Sequence, residues 1–478
     1  MQHNPAEELA KCERGLVVAP AGCGKTHLIA ESVGYAEGKQ LILTHTHAGV
    51  DALRQKLNSL KIPSNKYCIT TIDGFSLCYA NAFPILGHWE LSYPQDNEEW
   101  TILRNSAVRV LKFKAPRDIL RATYSGIYVD EYQDCSGSQH AMINTLAEII
   151  PCRIVGDPMQ AVYRKLNKND PLSWKQVTSS FETVDQLMDP YRWKKGNIEL
   201  GDWLLAVRQH LEKGEEVALN NAVGKAVRWI SSNSIQDQIK ICYDMCDEKG
   251  VAVVCDWLNR CSSIAEKTQN LFVVFESVEC PDLLKYSEEI EKTSGIDRVI
   301  KVVEFACKCL TGLTICNESV ERLANGSPYN PKKSDRLQLW ESMQSVVKNN
   351  TLNSVRNLLE DIEALKGKHH FKRRELWREM QRVMASYAPE SGKTLKETAW
   401  QIRDFARRNG RTIRYPRIIA TPLLIKGLEF NHAIVLDSAQ MNTAEELYVA
   451  MTRGSLTLTV LSNSEKLKRD KPSWLTEN

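Results

Sequence analysis

The chain has 478 residues, of which 43% are hydrophobic and 25% charged, with a formal net charge of +3. That length exceeds one ordinary core and predicts two domains with insertions, while the balance of residue types excludes a disordered or fibrous chain. Because the overall charge is nearly neutral, any strongly basic or acidic surface must be local.

Fourteen cysteines are spread along the sequence, many inside apolar runs such as Cys255 in VAVVCDW. There is no CxxC pair, and Cys307 and Cys309 form a CxC without a His or Cys partner at finger spacing. Buried, reduced thiols are therefore expected rather than a disulfide scaffold or a metal centre. The N-terminal MQHNPAEELAKCERG has no apolar signal core, and no run approaches the roughly 20 apolar residues of a membrane span. A cytoplasmic location and no membrane partner are the expectations.

In chain order, GLVVAPAG (15–22) is the first continuous apolar run, and it predicts a buried strand, a turn and then a helix through LIAESV. The turn reads Ala19-Pro20-Ala21-Gly22-Cys23-Gly24-Lys25-Thr26. A glycine-rich strand-to-helix turn points backbone N–H groups and the positive helix end at phosphate oxygens. Lys25 can then reach β- and γ-phosphates, and Thr26 can ligate Mg²⁺. A tight turn that merely contains Gly-Lys-Thr would give no reason for the strand before it and the helix after it.

LILTHTH (41–47), YCITTIDGF (67–75), GIYVDE (126–131) and CRIVGD (152–157) follow as strands, with a small insertion expected at 79–122. The GIYVDE strand ends on Asp130 and Glu131. One carboxylate there can hold Mg²⁺, and its neighbour can orient and deprotonate an attacking water.

A second series comprises VAVVCD (251–256), LFVVFES (271–277), RIIATP (417–422), AIVLDS (433–438) and LTLTVLS (456–462). Between its members, over 281–404, apolar residues recur every three or four positions, as in LQLWESMQSVVKN and ELWREMQRVMASY, which predicts a helical insertion. Continuous apolar strands alternating with helical periods indicate an α/β fold with parallel sheets covered on both faces. Two basic stretches, 366–378 and 403–417, intersperse Phe, Trp and Tyr among Lys and Arg. They read either as a groove that follows a nucleic-acid backbone or as solvated helix faces.

Beyond these local readings, DEYQD followed by Gln139 resembles motif II of the UvrD/Rep superfamily 1 DNA helicases, and further family motifs appear in order. THTHAGVDALRQKL (44–57) is similar to motif Ia, and TIDGF (71–75) to the next DNA-contacting motif. VGDPMQAVY (155–163) resembles motif III, LMDPYRW (187–193) motif IV, TPLLIKGLEF (421–430) motif V and ELYVAMTRG (446–454) motif VI.

The resemblance implies two RecA-like P-loop domains, at 1–180 and at 181–280 with 405–478, the helical insertion at 281–404 belonging to the second. It implies ATP and Mg²⁺ as ligands and DNA as partner. Glu131, Asp130, Gln160, Arg192 and Arg453 would be catalytic, with Gln160 sensing the γ-phosphate and the two arginines acting as fingers lent by the second domain. Gly22, Cys23, Gly24, Lys25, Thr26, Gly427 and Glu429 would bind nucleotide, Glu429 through the ribose hydroxyl; Thr26 and Asp130 would hold the metal. Thr44, His45, Thr71, Tyr163, Trp193 and Thr421 would face DNA. Movement would be 3′ to 5′ on single strands.

The chain departs from the family in places. The first glycine of the phosphate loop is Ala19. Only Gln2 and Glu7 stand where an adenine-reading glutamine belongs. Lys165 replaces a base-stacking tryptophan, His45 a phenylalanine and Asp73 a histidine. Base stacking contributes roughly 1–3 kcal/mol per base, so grip on single strands is expected to be weaker. Two functions follow: a DNA-driven translocase or helicase, or a nucleotide-responsive subunit gating a partner nuclease. The second resembles the compact UvrD-like proteins that occur beside OLD-family nucleases in Gabija antiphage systems.

Overall fold

The computed structural model describes residues 4–91, 93–94, 97–165, 169–219, 227–232, 234–269, 271–277, 280–329, 331–365, 370–409 and 415–476. The first sheet is built from β1 (Arg14–Val18), β2 (Gln40–Thr44), β3 (Tyr67–Thr71), β4 (Gly126–Val129), β5 (Cys152–Gly156) and β6 (Glu182–Gln186). It has the spatial order β3-β2-β4-β5-β1-β6, and every pairing is parallel.

Alternate residues of each inner strand feed two cores, one on either face. Leu16, Leu41, Leu43, Ile127, Val129 and Ile154 pack on one side. Val17, Ile42, Tyr128 and Val155 pack on the other, against Leu28, Ile29 and Val33 of helix Lys25–Tyr35. Strands buried on both faces must be apolar at every position, which is why they read as unbroken runs.

The short strand β7 (Val217–Ala218) pairs antiparallel with the last strand of the chain. The second sheet contains β8 (Val227–Ser231), β9 (Val251–Val254), β10 (Val273–Val274), β11 (Arg417–Ala420), β12 (Phe430–Val435) and β13 (Gly454–Ser462); β14 (Lys466–Leu467) closes the pair with β7. Its order is β10-β11-β9-β12-β13-β8, again wholly parallel. The expected α/β architecture of two parallel sheets is therefore present.

Four of the described strands were not anticipated: β6, β8 and the two-residue pair β7 and β14. β6 (ETVDQ) and β8 (VRWIS) lie at sheet edges and are largely polar or half-exposed, so neither carries the apolar run of an inner strand. Because β6 pairs with β1, the first sheet extends past residue 180, where the boundary was expected.

Helices from Pro281–Lys292 to Leu395–Asn409 surround a core of their own. It includes Phe305 stacked on Trp377 at 5.8 Å, and the last helix continues beyond residue 404. Arg373 ties this bundle to the sheet through a bidentate pair with Glu276, 2.7 and 2.6 Å, and a further ion pair with Asp282. In the smaller insertion, helix Asn97–Val110 is held by Arg104, whose Nε and Nη2 donate to Asp73 at 2.8 and 3.1 Å. Among the described residues no helix is long and apolar enough to cross a membrane.

Candidate functional site

Strands β4, β5 and β1 are neighbours and run parallel, so their carboxyl ends open side by side along one sheet edge. Such an edge is where open α/β sheets bind ligands. The segments leaving it are the Ala19–Thr26 turn, Asp130 with Glu131, and Asp157 to Gln160.

In the turn, Gly22 and Gly24 have φ of +71° and +86°, conformations that favour glycine, and Gly24 caps helix Lys25–Tyr35. Alternating backbone hands make a concave nest of N–H groups at a helix N-terminus. Buried Lys25 curls over this turn, its Nζ donating to Ala19 O at 3.0 Å and Pro20 O at 3.5 Å. Thr26 follows at the helix start, half-buried. Burial pushes the thiol of Cys23 up to about 12, so it stays neutral.

Asp130 continues β4, its N–H donating to Leu43 O at 2.9 Å. Glu131 has φ +55°, a left-handed turn that costs a non-glycine residue energy and that swings its carboxylate off the strand axis. Burial and the adjacent Glu131 charge raise the Asp130 carboxyl to about 7. Burial would raise Glu131 too, but the Lys25 and Lys426 charges hold it down at about 2. Of the pair, Asp130 is thus the weaker acid and Glu131 the stronger. That electrostatic state favours a divalent cation beside Asp130.

Glu131 is tied into a hydrogen-bonded chain. Gln133 donates Nε2 to Glu131 and accepts the Asp157 N–H on Oε1 at 2.8 Å. Asp157 accepts Gln160 Nε2 at 2.8 Å. Glu131 and Gln160 are therefore opposite ends of one buried network.

The second sheet closes this site with the starts of its strands, not their ends. Glu429 immediately precedes β12 and Arg453 precedes β13. Between the domains, the Arg192 N–H donates to Gly22 O at 2.9 Å, while its Nη1 donates to Thr452 O at 2.6 Å and its Nη2 to Glu429 at 2.7 Å. Arg192 Nε is buried without a hydrogen-bond partner. Arg453, 1% exposed, donates to Val449 O, Leu428 O and Thr452 Oγ1 at 2.8, 3.2 and 2.9 Å. Burial and the neighbouring Arg192 charge push Arg453 down to about 9. Two guanidiniums this close repel each other in a dry site, and an anion between them would remove the repulsion. The Tyr448 hydroxyl accepts the Ala21 N–H of the turn at 3.2 Å.

Lys25, Asp130, Glu131, Gln160, Arg192, Glu429 and Arg453 thus meet at one cleft. Gly427, with φ +78°, forms the bend that brings Glu429 to Arg192. An orphaned Arg192 Nε, a lysine over a glycine nest and a carboxyl pair together fit a nucleoside triphosphate with its metal.

Thr44 and Thr71 end the adjacent strands β2 and β3, on the far side of β4 from the turn. Both are buried: Thr71 caps the next helix through the Gly74 N–H at 2.9 Å, and Thr44 lies under Gly49. His45 is half-buried, with Nε2 3.5 Å from Cys135 Sγ; burial lowers its imidazole to about 4, so it is neutral at physiological pH. Tyr163 lies under Lys426, whose Nζ is 5.3 Å from the ring centroid. Thr421 follows β11 at the start of helix Pro422–Ile425.

Trp193 corrects an expectation. It does not face a DNA groove; it is 1% exposed, with Nε1 donating to Gly454 O at 2.9 Å. A Cβ on Gly22 would lie 2.5 Å from its ring, so the indole is the packing surface beneath the turn. The basic stretches also depart from expectation. Arg378 pairs with Glu363 at 3.2 Å, Arg403 with Glu379 at 3.2 Å, and Arg417 donates to Leu271 O, Cys246 O and Glu248 O. Arg373, Arg403 and Arg417 thus hold the fold, whereas Arg378 is exposed on a surface pair; 366–369, 410–414, the side chains of 404–409 and of Lys165, and Gln2 lie outside the described residues.

Sequence reading gave no role to several residues of the site, Gln133, Asp134, Asp157 and Tyr448 among them, nor to the four that follow. Lys426 crosses from the second domain to ion-pair with Asp134 and donate to Gln160 O. Arg208 makes a buried pair with Asp157. His27 and Tyr191 stack at 5.5 Å beside the turn. Of these only Arg208 left a signal, as a charge within the apolar stripe Leu200, Leu204, Val207 and Leu211.

A family profile described as an AAA domain matches residues 2–165. Curated protein sequences give no match. Among solved structures, the arterivirus nonstructural protein 10 helicase in complex with DNA is 11% identical with a TM-score of 0.37, and covers 96% of this chain and 63% of its own. A crystal structure of the same arterivirus helicase gives 12% identity, a TM-score of 0.36 and coverages of 96% and 62%. The chain thus spans less than two thirds of the helicase it matches, and only its first third matches the AAA-domain profile.

Proposed function

We propose that the chain is a nucleic-acid-stimulated ATPase of the UvrD/Rep superfamily 1 type, a translocase or helicase moving 3′ to 5′ on single-stranded DNA. The observation that carries this reading is the meeting of Lys25, Asp130, Glu131 and Gln160 from one domain with Arg192 and Arg453 from the other. Hydrolysis built this way depends on closure of the cleft, which is what couples a chemical step to movement.

Lys25 and the turn's N–H groups bind the phosphates, and the His27–Tyr191 ring pair offers a stacking surface to a base. Thr26 and Asp130 would hold Mg²⁺, which would neutralise phosphate charge and draw the proton off Asp130. Ionised Glu131 accepts a proton from the attacking water. Gln160 orients toward the γ-phosphate, and the two arginines stabilise charge on the transferring phosphoryl group. In this reading Glu429 exchanges its Arg192 partner for the ribose hydroxyl. His45, Tyr163 and Thr421 would line the DNA path, with buried Thr44 and Thr71 ending the strands beneath it, and Lys426, between Tyr163 and Asp134, would link that path to Glu131.

A second reading is favoured by one observation: among the described residues Arg373, Arg403 and Arg417 are engaged internally, which leaves less basic surface for autonomous grip on DNA. On that reading the nucleotide cycle gates a partner nuclease in phage defence. Both readings require nucleotide at the same turn. Lys25→Ala is expected to abolish binding of a fluorescent ATP analogue, measured by titration with Mg²⁺, while thermal melting stays unchanged. Unaltered affinity in this variant would remove the phosphate-loop assignment and both readings with it.

A further inference from the structure

Helix Ile198–Lys213 packs Leu200, Leu204, Val207 and Leu211 into the second domain's core, and Arg208 lies on that same face, 1% exposed. A guanidinium in such a place is stable only with partners that satisfy it. Its first partner is Asp157, wholly buried and contributed by the other domain. Glu212 on its own helix is the second, at 2.9 Å, and the guanidinium also lies 5.6 Å from the Tyr448 ring centroid.

Each contact leads one step further into the site. The remaining Asp157 oxygen accepts Gln160 Nε2 at 2.8 Å, and the Asp157 N–H reaches Gln133, which holds Glu131. The Tyr448 hydroxyl accepts the Ala21 N–H of the phosphate turn. A single cation on the second domain therefore touches, through one intermediary each, the turn and Gln160, and through two the carboxylate Glu131. An apolar side chain would have held the helix equally well. An ion pair differs in that its energy falls steeply once water enters a widening gap.

We propose that Arg208 is a positioning residue that makes the orientation of Gln160 depend on where the second domain sits. With the domains together, Arg208 fixes Asp157 so that it accepts from Gln160. When they part, Asp157 loses its cation and Gln160 its anchor, so the site is assembled only in the closed arrangement. This rests on the reading that nucleotide is hydrolysed here.

The test is a double-mutant cycle with Arg208→Met, which keeps bulk and removes charge, and Gln160→Ala. The kcat of each variant is normalised to the fraction that binds a fluorescent ATP analogue. Alone, Arg208→Met is expected to lower kcat about tenfold or more with nucleotide affinity within about threefold, and Arg208→Lys to recover most of the loss. Added to Gln160→Ala, it should change kcat by less than about twofold, because both act through one group. Losses that multiply, as from general loosening, would overturn the proposal, as would wild-type turnover in Arg208→Met. If Arg208→Met does not fold, the same cycle is run with Arg208→Gln, which also removes the charge. Should the wild type hydrolyse no ATP, the hydrolysis reading has failed on its own. The cycle is then read on thermal melting of the same variants, where additivity sinks the coupling and non-additivity keeps it.

Discussion

Replacing Glu131 by glutamine is expected to lower turnover by about 10²–10⁴ while nucleotide still binds, the loss typical of removing a positioned general base. The amide has the carboxylate's size and can still bond to Gln133, so the network to Asp157 and Gln160 survives. What is lost is the negative charge that two lysines hold ionised at about 2. Asp130 does not substitute, because it is the group placed to hold the metal. The check pairs steady-state hydrolysis with titration of a fluorescent ATP analogue. Turnover above about a tenth of wild type would assign the base elsewhere.

Arg453→Ala carries the other large effect. Arginine fingers are worth about 10³–10⁵ in rate, and the loss is expected in kcat rather than in ground-state affinity. Arg453 is held by three acceptors of its own domain, Val449 O, Leu428 O and Thr452 Oγ1, and lies beside Arg192 with its proton affinity depressed to about 9. Those three bonds satisfy the guanidinium, but placing it beside Arg192 costs stability that an anion bound between the two would offset. Because truncation also frees three buried acceptors, melting temperature is measured beside kcat. Arg453→Lys, which keeps the charge but not the planar fork, separates the two effects: a folding role is largely rescued by lysine, a finger role is not. Normal hydrolysis in folded Arg453→Ala would mean that the two-domain site is misassigned.

The parts of the fold and site that the sequence made legible share a physical character. Inner strands such as LILTH and GIYVD are buried on both faces, so composition alone marks them. The edge strands ETVDQ and VRWIS have one partner and one wet side, and carry no such mark. The phosphate turn and the Asp130–Glu131 pair are local chemistry, complete within a few residues. Lys426 was invisible, and Arg208 showed only as a charge in an apolar stripe, because their meaning lies in partners far away along the chain; Asp134 is 292 positions from Lys426. Trp193 was misread for a related reason. An aromatic beside a finger arginine has the same letters whether it stacks a base or fills the space under Gly22. The basic stretches failed likewise, since Arg373, Arg403 and Arg417 find their acceptors on distant elements.

The central claim is that nucleotide hydrolysis in the interdomain cleft responds to nucleic acid. Steady-state ATPase with and without single-stranded DNA, at low and raised salt and beside Glu131→Gln, tests it most directly. The account predicts hydrolysis that DNA stimulates strongly, that raised salt returns toward the basal rate as phosphate contacts are screened, and that the substitution removes. Hydrolysis indifferent to DNA at every salt concentration, in folded protein that binds ATP, would contradict it.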